Sequence, residues 1–148
     1  MIGTIDTLVE RLRTVANPQT VIGAFAVFIA AALLIQTVGF RPEVESMANG
    51  LALPEVQFAY TPGDVESVLA ALGSDGRDLY IRALLVDFIF VLTFVAGLGV
   101  PLAYLLPKIT QNVWVGRLAV APVLAGVCDY IENIVLLYAI STFPDVPT

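Results

Sequence analysis

The sequence predicts an all-α, polytopic membrane protein with three transmembrane helices, an N-terminal amphipathic helix and a short helical extramembrane loop. Three observations predict it. Of the 148 residues, 58% are hydrophobic and only 14% charged, against roughly 25% charged in soluble domains. Mean hydropathy is +0.88. The charges are also clumped: none lies between Gln19 and Phe40, only Asp87 between Val86 and Pro107, and only Asp129 and Glu132 between Leu118 and Pro144. Apolar runs of about 18 residues or more suit a bilayer, because roughly 20 residues at 1.5 Å rise cover a 30 Å hydrocarbon core.

The elements follow in chain order within a single membrane domain, 1–148. Residues 1–16 place Ile5, Leu8, Val9 and Leu12 at i, i+3, i+4, i+7 among charged neighbours, which predicts an amphipathic helix at the interface. Asn17 is a good N-cap and Pro18 a good first helical residue, so the first span is placed at 19–39, read as a retained signal anchor. Residues 41–77 are the polar, extramembrane loop. Within it Val56, Phe58 and Tyr60 alternate as in an extended stretch. Thr61, Pro62 and Asp64 then start a helix over 62–72 in capping-box spacing. Val65, Val68, Leu69 and Leu72 give that helix one apolar stripe, which needs the membrane surface or the span ends as cover, and Gly73 stops it. Ser74-Asp75-Gly76 turns the chain into a second span, 78–106. A short link carrying Lys108 and the interfacial Trp114 leads to the third span, 115–141, and a non-helical tail, 142–148.

Lys and Arg placement sets the orientation. Arg11, Arg13, Lys108 and Arg117 fall on one side, and Arg41, Arg77 and Arg82 lie among seven acids of the 41–82 region on the other. This predicts a multi-pass protein of the plasma membrane, with the N-terminus cytoplasmic and the 41–77 loop outside.

Several chemistries are excluded. There is no histidine, which removes His-held metals and imidazole acid–base work. No metal site is predicted, and no cofactor can be named. The lone Cys128 forms no internal disulfide. A net charge of −6 with no basic patch argues against nucleic acid. No nucleophile motif, P-loop or Gly-rich phosphate loop occurs, so no catalytic residue is assigned.

What remains is a polar cluster. A short link makes the second and third spans antiparallel neighbours. With the turn near residues 109–111, Asp87 falls level with Glu132 and Asn133, Pro101 with Pro122, and Gly97 with Gly126. Asp129, Glu132 and Asn133 stand at i, i+3, i+4 on one helix face. Intramembrane charge costs about 2.5 kcal/mol per residue or more, so these groups must face protein or water. Arg82 is the internal candidate for a counter-ion. Tyr80, Arg77 and Tyr138 are secondary candidates for completing the hydrogen bonds. Such a cluster is either a structural clamp or a site for protons, cations or substrate.

The run Tyr60-Thr61-Pro62, then Leu72-Gly73, Gly76-Arg77, Tyr80 and Asp87, with Asp129 and Glu132-Asn133 later, resembles a family of small, uncharacterised polytopic membrane proteins of bacteria and archaea. The resemblance covers roughly residues 55–145 and implies no activity. Members often continue into a further hydrophobic helix after a Pro-containing loop, so the chain is expected to be either a three-helix form or one from which a fourth helix is missing.

Three functional readings follow. The first is a non-catalytic accessory, assembly or scaffold subunit of a larger membrane complex, with membrane lipids and other membrane proteins, or further copies of itself, as partners. Ala30-Ala31-Ala32, Gly97, Gly99 and Gly126 offer close-approach surfaces for it. The alternative is a small oligomeric proton-, cation- or lipid-binding unit built on the buried carboxyls. The third is an enzyme that acts on a lipid or isoprenoid with paired carboxyls as acid and base. The balance leans against an enzyme.

Overall fold

The computed structural model describes residues 2–37 and 40–144, and these are helical with no strand among them. The helices are α1 (Ile2–Val15), α2 (Pro18–Thr37), α3 (Arg41–Met47), α4 (Pro62–Ile109), α5 (Val113–Gly116) and α6 (Ala121–Thr142), with short 3-10 turns at Pro54–Val56 and Arg117–Val120. The helical stretches beginning at Pro18, Pro62 and Val113 are long and apolar enough to cross a membrane. The predicted end of the first span at Gly39 and the tail from Asp145 on lie outside the described residues.

Local chemistry explains the boundaries. The Asn17 Oδ1 accepts from the Gln19 and Thr20 amides at 3.0 and 3.1 Å, which caps α2. Thr61 and Asp64 form a reciprocal capping box: the Thr61 amide donates to Asp64 Oδ2 at 2.7 Å, and the Asp64 amide donates to Thr61 Oγ1 at 3.3 Å. Gly73, at φ 64° and ψ −172°, interrupts α4. This left-handed conformation suits glycine, and it separates 62–72 from the long segment after it. Ser74-Asp75-Gly76, expected as a turn, is helical, so the single residue Gly73 makes the whole bend. Pro54–Val56 form a 3-10 turn where Val56 was expected to be extended, and Gln57 after it is extended. At the start of α6, Pro122 sits in the first turn, where a missing N–H costs nothing.

The chain groups into two compact units, residues 1–32 with 89–129 and residues 33–88 with 130–148. In the first, α1 lies on the 3-10 turn at Arg117–Val120. Val9 is buried there, and Arg117 Nε and Nη2 donate to the two Asp6 oxygens at 2.9 and 3.0 Å. Gly97 lets α2 approach α4 closely, since a Cβ at this position would overlap Phe28. The Phe28 ring then packs on Phe90 and Phe94 at 5.9 and 6.1 Å between centroids. Gly126 meets Val91 and Val95 in the same way. α2 itself contributes no buried residue.

The second unit holds the larger buried cluster. Val44 of α3 and Ala48 just after it, Leu53, the whole stripe Val65, Val68, Leu69 and Leu72, then Tyr80 and Leu84, and Leu136, Ala139 and Ile140 of α6 form one buried cluster. The 62–72 helix is therefore covered by α3 and the C-terminal half of α6. Each fully buried Val or Leu adds about 1.5–3 kcal/mol over an exposed one.

Candidate functional site

Within the second unit, α4 presents Tyr80, Leu84 and Asp87 at i, i+4, i+7, on one face. α6 presents Glu132, Asn133 and Leu136 at the spacing of one face. Leu84 and Leu136 on these faces are buried in the core, and Asp87 and Glu132 beside them are half-buried. The Asn133 side chain is 2% exposed, and its Nδ2 donates to Asp87 Oδ2 at 2.8 Å. One helical turn's register beside it, the Tyr130 hydroxyl donates to the Phe88 carbonyl at 2.8 Å, and the two rings lie 5.1 Å apart. These contacts tie α4 to α6.

Two further bonds bring in the loop between α3 and α4. Tyr80, 1% exposed, donates from its hydroxyl to Glu55 Oε2. Tyr60 donates from its hydroxyl to Glu132 Oε1 at 2.9 Å. The exchange is reciprocal: a helix phenol holds a loop carboxyl, and a loop phenol holds a helix carboxyl. Glu55, Asp87 and Glu132 thus each accept from a neutral side-chain donor. No buried side-chain nitrogen or oxygen among the described residues lacks a partner.

The electrostatics fit this arrangement. Burial pushes the Glu55 carboxyl above its ordinary value of 4.5, and the nearby Asp87 adds to the rise. The Tyr80 hydrogen bond and the Arg41 charge pull it the other way. Burial, reinforced by the bond to Glu132, pushes the Tyr60 phenol up to about 12, so it remains a donor throughout the physiological range. A cavity of about 30 Å³ adjoins Arg41, Glu55 and Asp87, walled by Ile35, Phe40, Ala83, Leu84 and Val86. It has room for a water molecule. Arg41 also pairs with Glu45 at 3.2 Å.

The structure brings together Asp87, Asn133, Glu132 and Tyr80 in one unit. Arg82, read as their counter-ion, is exposed and in no ion pair among the described residues. Arg77 turns elsewhere: its Nη1 donates to the Leu69 carbonyl at 2.9 Å, and its guanidinium lies 4.6 Å from the Phe143 ring centre. This caps the break at Gly73. Tyr138 is exposed. Asp129 belongs to the first unit. Sequence reasoning missed Glu55 and did not place Tyr60 at the site. Tyr60 stands in the motif quoted above. Glu55 carries one local signal, an acid directly after buried Leu53-Pro54 in the first turn of a 3-10 segment.

No family model, no functionally described protein and no solved structure matches the chain.

Proposed function

We propose that the chain is a non-catalytic integral membrane protein that works as an accessory, assembly or scaffold subunit of a larger membrane complex. The observation that carries this reading is the reciprocal tyrosine–carboxyl exchange, Tyr80 to Glu55 and Tyr60 to Glu132, beside the Asn133–Asp87 bond. Each carboxyl is engaged by a donor that fixes helix and loop geometry, which is the use expected of a structural clamp. The bare α2 helix, 20 residues with none buried, supplies surface for neighbouring helices or lipid. The proposed topology puts the N-terminus and the 108–117 link in the cytoplasm and the 41–77 loop outside. Purification in mild detergent followed by mass measurement tests the reading: it expects a stoichiometric complex with other membrane proteins. A chain that purifies alone, or only with copies of itself, contradicts it.

The second reading is a small oligomeric proton- or cation-binding unit, favoured by one observation, the cavity against Arg41, Glu55 and Asp87. It expects Asp87→Asn to leave a stable protein that has lost proton uptake or cation binding. Unchanged uptake in that variant removes it.

A further inference from the structure

The geometry points to a binding site for the phosphate of an anionic phospholipid headgroup between Arg13 and Arg117, in the first unit and independent of the carboxyl clamp. Both side chains line one cavity of about 180 Å³, together with Asp6, Val9, Glu10, Val113 and Gly116. They arrive from different elements, Arg13 from α1 and Arg117 from the 3-10 turn before α6. Gly116 makes the convergence possible: a Cβ there would stand 3.1 Å from Arg13 Nη2, so the missing side chain leaves space for the guanidinium.

The two arginines have different obligations. Arg117 grips Asp6 through Nε and Nη2, which anchors α1. Among the described residues Arg13 is held only by Glu10, through one bond of 2.9 Å on the same helix. Such exposed pairs at i, i+3 are weak, and Arg13 keeps four of its five N–H donors for another acceptor. A phosphate that takes the place of the Glu10 carboxylate gains a forked, charge-assisted contact.

The exposed apolar side chains at or close in the chain to the cavity residues identify the ligand as a lipid rather than free phosphate. Val15, Val113, Trp114 and Leu118 are all more than half exposed, and the Trp114 ring stacks on the Arg117 guanidinium at 4.5 Å. Guanidinium groups beside an exposed tryptophan and exposed apolar side chains match a molecule that is anionic at one end and apolar at the other. A phosphate whose charge is offset by its own cationic headgroup fits less well, which makes the site selective for anionic lipids.

The test uses the purified full chain in a neutral detergent, with retained lipid read by native mass spectrometry. The added ligands are phosphatidylglycerol, phosphatidylcholine and, separately, inorganic phosphate. Phosphatidylglycerol is expected to bind in preference to phosphatidylcholine, and inorganic phosphate to compete only weakly. Arg13→Gln should weaken phosphatidylglycerol binding about tenfold. Glu10→Gln should strengthen it about threefold, because it removes the competing carboxylate. These opposite signs separate the site from a mere loss of folding, since both variants break the same intrahelical pair. Equal retention of the two lipids, an unchanged affinity in Arg13→Gln, or weaker binding in Glu10→Gln overturns the site. Inorganic phosphate binding as tightly as phosphatidylglycerol overturns the lipid assignment.

Discussion

The two compact units handle their charges in opposite ways. Residues 1–32 and 89–129 hold four basic and three acidic side chains; residues 33–88 and 130–148 hold three basic and ten acidic ones. In the first unit an acid meets a cation, as in the two-oxygen grip of Arg117 on Asp6. In the second, the exposed Arg41–Glu45 pair apart, the carboxyls at the loop–helix contact take neutral donors, Tyr80, Tyr60 and Asn133. An ion pair favours the charged carboxylate, whereas burial beside a phenol disfavours it. The Asp6 carboxyl is accordingly held below its ordinary value, chiefly by the Arg117 hydrogen bond, and the Glu55 carboxyl is pushed above its own by burial. The first unit thus joins a charged pair to close glycine packing, and the second joins a large apolar cluster to carboxyls held by neutral donors.

Packing in the first unit should be the more fragile to added volume. Gly97→Val forces a side chain into Phe28 and against the Ala24 carbonyl, and overpacking of this kind costs about 3 kcal/mol. Thermal melts in detergent should show the loss, and a melt within a degree of the parent would mean that α2 and α4 separate without cost. In the second unit, polar deletion should matter more. Asn133→Leu leaves the Asp87 carboxyl without its donor at a buried position, at a cost of about 2 kcal/mol. Asn133→Asp sharpens the point, because it replaces a donor with a second acid and should destabilise more at neutral than at acidic pH. The smallest effect is expected from Tyr60→Phe, which removes one bond from a partly exposed loop residue, for about 1 kcal/mol. Hydrogen exchange should localise that change to residues 49–61 and leave the first unit protected as before. An exchange change spread over both units would end the division drawn between them.

Much of the helical plan was legible because it depends on local chemistry. The Asn17 cap, the Thr61–Asp64 box and the break at Gly73 are decided within a few residues. Equal-depth counting across the 109–111 link places Asp87 beside Glu132 and Asn133, and the Asn133 amide lies on Asp87. The loop contributions were not legible. Glu55 reaches Tyr80 across 25 positions, and Tyr60 reaches Glu132 across 72; no periodicity encodes the return of a loop onto a helix face. The same holds for Asp6 and Arg117, which are 111 positions apart. Arg82 drew attention by its distance along α4 from Asp87, but five residues turn a helix well past the face that Asp87 occupies. Phenols and an amide, which show no charge in the sequence, took the role assigned to it.

The most direct test of the clamp is the pH dependence of stability above pH 4.5, measured on the parent chain and on Glu55→Gln. A carboxyl whose value is raised on folding binds more protons in the folded state, so its contribution is present at low pH and is lost as pH rises through the raised value. The Asp6 contribution runs the other way: it is present above 3.8 and is lost as pH falls through the lowered value. The two windows do not overlap. The account predicts that the parent's melting temperature falls as pH climbs above 4.5, and that Glu55→Gln, which keeps an acceptor for the Tyr80 hydroxyl, abolishes that slope. A parent whose stability rises across this window, or a Glu55→Gln chain that keeps the parent's slope, would contradict a clamp built on a buried carboxyl and a phenol.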